Sequence, residues 1–231
     1  GAGSTGSVTI TGTAELGQTL TADNNLADAD GLGTISYQWY KNGFPIKSCF
    51  KDKQGCTLNG LAGASDLTVS PDRKHIYVTS TNYNGNNGRY GNAISWFERD
   101  LMTGTLIYGG YLEQGIVDKA WAVTISVDGK YIYVKSQGTI SWFERNASTG
   151  ALSYVGKLQD GVDGVDGLDG GYDVTLSADG KHAYVAAGSD DAVSWYERNA
   201  STGALTYGGM VKDGVNGVDG LDGANGVTLS A

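Results

Sequence analysis

Proline is nearly missing from this chain, with 2 residues in 231, while glycine numbers 37. A collagen-like helix, which depends on proline, is therefore excluded, and turns fall to glycine and to Asp or Asn side chains. Cysteine, histidine and methionine number 2 each. Basic charge is also short: 16 Lys and Arg stand against 25 Asp and Glu, a formal net charge of −9, with no basic run. That balance argues against a nucleic-acid-binding surface. No stretch approaches the ~18 apolar residues of a membrane helix. A charged-then-apolar leader is lacking too, so an export signal is expected outside this chain or already removed. What is present, 40% hydrophobic residues and 14 tyrosines, excludes a wholly disordered polypeptide.

Internal repetition decides the fold class. Asp66 to Val78 (DLTVSPDRKHIYV) recurs from Ala122 to Val134 (AVTISVDGKYIYV) and from Asp173 to Val185 (DVTLSADGKHAYV). A further copy starts at Gly226 as GVTLSA. Each full copy is followed by a second block, AISWFERDLMTGTLIY, TISWFERNASTGALSY or AVSWYERNASTGALTY. A third block, KLQDGVDGVDGLDGG or MVKDGVNGVDGLDGA, leads to the next unit. Asp128-Gly129 and Asp179-Gly180 give a two-residue hairpin signal. The first copy has Asp72-Arg73 there, for which a different turn geometry is expected. In AVSWYER, Val193, Trp195 and Glu197 share one face, and Ser194, Tyr196 and Arg198 the other. No window carries helical apolar spacing for three turns. Four short strands per unit of roughly 50 residues describe a propeller blade, and the fold class is all-β.

These blocks resemble the YVTN-type, lactonase-like β-propeller repeats of secreted bacterial proteins, over roughly residues 58–231. The resemblance implies a propeller, an extracellular or cell-surface setting and, in some members, lactone hydrolysis. It marks no catalytic set in this sequence. Closed propellers usually have 4–8 blades, whereas this chain carries three full repeats and the strand from Gly226. The arc is therefore expected to be completed by covalent continuation of the chain or by self-association.

Residues 1–7 read as a flexible leader, and residues 8–57 as a partial β-sandwich segment with a cysteine loop. Residues 8–43 resemble the start of a bacterial immunoglobulin-like adhesin repeat, on GTAELGQTLTA, Asp28-Ala29-Asp30-Gly31 and Tyr37-Gln38-Trp39-Tyr40. An alternative makes ISYQWYKNG a strand of a leading blade. Cys49 and Cys56 lie C-x6-C apart, with no histidine nearby to complete a metal site. A small disulfide loop fits an oxidising compartment, and two reduced thiols are the alternative.

Candidate sites are few. The acidic runs Asp160–Asp169 and Asp213–Asp222 suggest calcium, but the D-x-D-x-D-G spacing is missing, and a tight connector explains them. His75 and His182 share a repeat position that holds Tyr131 in the middle unit, which favours packing over catalysis. Trp96, Trp142 and Trp195 are equivalent and read as packing between blades, or as a glycan-stacking array. The pairs Glu98/Arg99, Glu144/Arg145 and Glu197/Arg198 read as cross-strand partners. Asn82, Tyr83, Asn84, Asn86, Asn87, Arg89 and Tyr90 lie in a polar insertion found only in the first unit, the best partner-binding loop. No catalytic residue, metal ligand or cofactor is assigned. The leading expectation is an extracellular structural or adhesive repeat protein. The alternatives are part of a lactonase-like hydrolase, or a carbohydrate- or protein-binding propeller.

Overall fold

The computed structural model describes residues 6–12, 21–27, 40–41, 44–45, 61, 63–81, 92–113 and 119–230, and among these there is no helix. Among the described residues no helix is long and apolar enough to cross a membrane. The chain separates into two units, Gly1–Ser48 and Cys49–Ala231. The described strands of the first unit are two antiparallel pairs: β1 (Val8–Thr11) with β2 (Thr21–Asn24), and β3 (Tyr40–Lys41) with β4 (Phe44–Pro45). The Cys49–Cys56 pair and the Asn82–Tyr90 loop lie outside the described residues.

The second unit holds three four-stranded antiparallel blades. Blade 1 is β5 (Ala64–Val69), β6 (His75–Ser80), β7 (Ala93–Arg99) and β8 (Leu106–Glu113). Blade 2 is β9 (Ala122–Ile125), β10 (Tyr131–Ser136), β11 (Thr139–Arg145) and β12 (Leu152–Gln159). Blade 3 is β13 (Gly171–Leu176), β14 (His182–Ala187), β15 (Ala192–Arg198) and β16 (Leu205–Lys212). The all-β propeller-blade architecture read from the repeats is the one observed. Strand reversal puts the first and third turns of each blade on one face of the arc. The central hairpins and the blade connectors lie on the other.

The first turn differs from expectation in two ways. It is wider than a two-residue hairpin, because Ser126 Oγ donates to Asp128 (2.5 Å) while the Lys130 amide donates to the same carboxylate (3.1 Å). The serine–aspartate pair closes the loop with local side-chain bonds. The first copy also shares this geometry: Arg73 has φ 61°, beside 67° at Gly129 and 68° at Gly180. The Ser70 and Asp72 side chains make the same bonds there. They hold a non-glycine residue in a left-handed conformation that ordinarily costs about 1–2 kcal/mol.

Each third-strand tryptophan sits opposite a bulge of its blade's outermost strand and lies against glycine there: Gly109 and Gly110 for Trp96, Gly156 for Trp142, Gly208 and Gly209 for Trp195. Trp96 and Trp142 are only 8% and 7% exposed. They are packing residues, and the glycines that make room for them give a signal the sequence reading did not use.

The arginines correct the cross-strand expectation. Arg145 leaves blade 2 and enters blade 1, where Nη2 donates to Asp72 Oδ2 (2.7 Å) and Nε to the Tyr77 hydroxyl (3.0 Å), while Nη1 donates to Gly129 O (3.1 Å). Arg198 repeats this one junction later, on Asp128 Oδ2 (3.4 Å), Tyr133 (2.6 Å) and Gly180 O (3.0 Å). Guanidinium is suited to the task, since its planar fork serves several acceptors at once. Tyr77 and Tyr133 then donate to Gly150 O (2.9 Å) and Gly203 O (2.8 Å) of the following blade. Apolar clusters lie between the blades: Tyr77, Ile94 and Trp96 with Val123, Ile132 and Leu152, then Tyr133 and Trp142 with Val174, Val185 and Leu205. Burying each such side chain is worth about 1.5–3 kcal/mol.

The segment from Gly226 forms no strand, although a first strand was expected. It nevertheless sits in the innermost position of a following blade. Val227 N donates to Asp173 Oδ2 (2.9 Å), just as Val123 N donates to Asp66 Oδ2 (2.8 Å) one junction earlier.

Candidate functional site

The connector face between blades 2 and 3 gathers the most unusual set of charges among the described residues. Glycine at every third position lets the run from Asp160 fold back on itself, so that Gly161 N bonds Val165 O and Val165 N bonds Val162 O. Val165 and Leu168 turn inward and are buried. Asp160 caps the loop by accepting from Leu168 N (3.0 Å). The second acidic run folds identically, with Asp213 accepting from Leu221 N (2.7 Å) and Gly214 N bonding Val218 O. The connector reading of these runs therefore holds.

The fold then adds what the sequence did not suggest. Asp190, from the β14–β15 turn, accepts from Asp169 N (2.7 Å), which brings it to the connector. Carboxylate oxygens of Asp160, Asp166 and Asp190 all lie within 4.8 Å of one another. Burial raises the Asp190 pKa, and the charges of Asp160, Asp166 and Asp169 push the same way against the Asp169 amide. Beneath them lies Lys135 of β10, fully buried, donating to Leu168 O (2.8 Å) and to Ser136 O. Burial brings its ammonium down to about 7, although Asp169, Asp160 and Asp190 favour the charged form. Blade 1 has Thr79 and blade 3 has Ala186 at this position, so the lysine is particular to blade 2.

Chemically, Asp190 is a half-buried carboxylate with a raised proton affinity, as a general base requires. Lys135 is held by two carbonyls and orders the connector. Binding through one oxygen each, the three carboxylates would supply only part of the 6–8 oxygens that a calcium ion takes, and a charged Lys135 nearby would work against a cation.

The histidines separate into two environments. His75 is buried, with Nδ1 facing Arg145 Nη2 at 2.7 Å; the guanidinium donates, so His75 is neutral and carries its proton on Nε2. Burial and the Arg145 charge both lower its pKa. His182 is half-buried and tilted against Tyr184. Both are packing residues on the face opposite the carboxylate cluster.

A family model described as Lactonase, 7-bladed beta-propeller, matches residues 122–214, which span blades 2 and 3. A putative 6-phosphogluconolactonase from Bacteroides fragilis NCTC 9343 is similar in structure, at 22% identity and TM-score 0.51, covering 63% of this chain and 38% of its own. The periplasmic gluconolactonase of Pseudomonas aeruginosa is similar at 18% identity and TM-score 0.50, covering 63% of this chain and 39% of its own. A Lactobacillus plantarum protein stands at 21% identity and TM-score 0.50, covering 62% of this chain and 40% of its own. Identities this low establish the fold alone, and the chain spans well under half the length of these neighbours. No curated protein matches it.

Proposed function

We propose that this chain forms part of a lactonase-type propeller that opens a sugar lactone at its connector face. The observation carrying this reading is a coincidence of place. The residues matched by the lactonase model, 122–214, are the two blades whose junction holds Asp160, Asp166, Asp190 and Lys135. In this reading Asp190 takes a proton from water as the water oxygen adds to the lactone carbonyl. The proton then passes to the departing ring oxygen, giving the open hydroxy acid. The lactonase reading has more support than the adhesive-scaffold expectation, because relatives named for gluconolactone chemistry share the fold.

The test is hydrolysis of gluconolactone and of its 6-phosphate by the full chain. Saturable turnover above the spontaneous rate is expected, and Asp190→Asn should reduce it by about 10²–10⁴-fold. A rate equal to the spontaneous one on both lactones would overturn the reading.

A further inference from the structure

Lys135 is a charge for which the fold makes room at one blade junction and not at its equivalents. Its position faces the residue that leads into the next blade's innermost strand. By the repeat, Thr79 is matched there with Ala120, Lys135 with Gly171, and Ala186 with Ala224. Opposite the lysine, and not opposite Thr79 or Ala186, that residue is glycine. A Cβ at Gly171 would lie 2.2 Å from Lys135 Cε and 2.7 Å from Nζ, so the lysine stem occupies the space that alanine takes elsewhere. Two residues, one on each blade, thus depart from the repeat together.

Packing does not account for this pair. Taking an ammonium out of water is costly, and the junction of blades 1 and 2 closes around the buried Thr79 and Ala120 without one. Ordering of the connector does not by itself account for it either. The second acidic run folds as the first does, with Asp213 accepting from Leu221 N (2.7 Å), although Ala186 stands where the lysine would be. In the first run Gly167 O, Leu168 N and Asp169 N are held by Ser194 (2.9 Å), Asp160 (3.0 Å) and Asp190 (2.7 Å). What distinguishes the lysine's junction is the charge above it. Asp160, Asp166 and Asp169 come from the connector and Asp190 from the β14–β15 turn, while the phenols of Tyr196 on β15 and Tyr207 on β16 face the same charges. Asp191 of that turn points away, to Gly223 N (2.9 Å). No lysine or arginine is ion-paired with Asp160, Asp166 or Asp190 among the described residues. Lys135 is a cation that acts on them from beneath, through an interior where charge is weakly screened.

We propose that Lys135 is a positioning residue of the connector site, the buried counter-charge that keeps Asp190 ionised among its neighbouring carboxylates. The ammonium acts on Asp190 by charge rather than contact, and it touches no substrate. Burial and the three neighbouring carboxylates favour the protonated form of Asp190, which cannot take a proton from water. The ammonium opposes them. Brought down to about 7 by burial, Lys135 remains charged through the acidic range in which a carboxyl titrates. Its part in hydrolysis rests on the lactonase reading: there it extends the working range of the base towards lower pH.

The test is the titration of the Asp190 carboxyl by carbon NMR in the full chain, its signal being the one missing from Asp190→Asn. Wild type is compared with Lys135→Met and Lys135→Gln. Glutamine keeps a donor for Leu168 O and loses the charge; methionine loses both. In both variants the Asp190 midpoint should move up by about one pH unit. The acidic limb of the pH profile of kcat/KM on gluconolactone should move with it, so that activity at the foot of that limb falls about tenfold. Near-ultraviolet circular dichroism checks folding. Where Lys135→Met does not fold, Lys135→Ala combined with Gly171→Ala restores the match of Ala186 with Ala224, and the same upward move is expected. A midpoint unmoved or lowered in both variants would overturn the proposal. So would one that moves with methionine but not with glutamine, since donation rather than charge would then be at work. Wild type without lactone turnover would end the lactonase reading, and the Asp190 midpoint would still decide this one.

Discussion

The blade 1–blade 2 junction and the blade 2–blade 3 junction use the same arginine, aspartate and tyrosine, yet they differ at the residue beneath the arginine. In the first, Arg145 lies 2.7 Å from Asp72 and shares its Nη2 with His75. In the second, Arg198 is 3.4 Å from Asp128 and stands over the Tyr131 ring, 5.6 Å from its centroid. Tyr131 also donates to Ser201 O (2.8 Å), a bond no imidazole makes at the first junction. One clasp is thus tighter and carries a titratable ring. The other is looser and has a phenol ring in that place. Burial raises the Asp72 pKa, but Arg145, Ser70 and the Lys74 amide outweigh it and hold the carboxyl well below its usual range. Burial raises Tyr77 and Tyr133 alike, to about 12. The aspartate geometry and the ring, not the tyrosine, distinguish the junctions.

Removing the arginines is the largest way to break this comparison. Arg145→Ala removes the guanidinium donor from the buried Tyr77 hydroxyl and Gly129 O, and from Oδ2 of the exposed Asp72. The expected cost is about 3–4 kcal/mol, the range for removing one partner of a buried ion pair with part of it lost to solvent screening of Asp72. Arg198→Ala should cost less, because its aspartate is farther away. Urea unfolding of both variants measures the difference; equal losses, or a loss below about 1 kcal/mol at either site, would mean the clasp is not what joins the blades.

How much of this was legible beforehand follows from the range of each interaction. The strands and turns come from residues close in sequence, so VTLSADGKHAYV announces its hairpin directly. Arg145 and Arg198 act on residues some 70 positions earlier, and an alternating strand pattern shows only that they share a face with buried neighbours. A combined signal was nevertheless present, since every unit holds a turn aspartate, a strand tyrosine and a third-strand arginine together. The glycine beside each tryptophan was a second unread signal. The carboxylate cluster was half legible: Asp160 and Asp166 stand in the acidic run, but Asp190 arrives from another hairpin. Lys135 gave no sign at all, because burial is decided by the packing of the connector over it.

Glycine substitution sharpens the comparison between a covered face and an open one. Gly150 and Gly104 are equivalent, with φ of 72° and 75°, so alanine at either pays about 1–2 kcal/mol for a left-handed backbone. At Gly150 the new Cβ would also lie 2.4 Å from the buried His75 ring. Overpacking of that kind adds about 1–3 kcal/mol. Gly150→Ala is therefore expected to be the more destabilising of the two by at least about 1 kcal/mol. Thermal melts of the two variants in the monomeric state decide it; equal shifts would show that the His75 side of the junction yields without cost.

The smallest effect is the most specific, and it concerns the ring that sets the junctions apart. His75→Tyr converts the first junction to the residue of the second, with Ser148 O in the position that Ser201 O occupies for Tyr131. Its sign follows from the lowered His75 pKa. Unfolded chain takes up a proton as pH falls through 6.5, while the folded imidazole, buried and facing Arg145, does so only at lower pH. Wild type therefore loses stability on acidification from 6.5 down to the folded pKa, and the tyrosine variant lacks that loss. Asp72 adds no slope in this window, since its own loss begins only near and below its unperturbed 3.8. The difference in melting temperature, variant minus wild type, should grow between about pH 7.5 and about pH 5.5, and it should correspond to no more than about 1 kcal/mol. A constant difference over that interval would show that His75 titrates alike in folded and unfolded chain, and would remove the distinction between the two junctions.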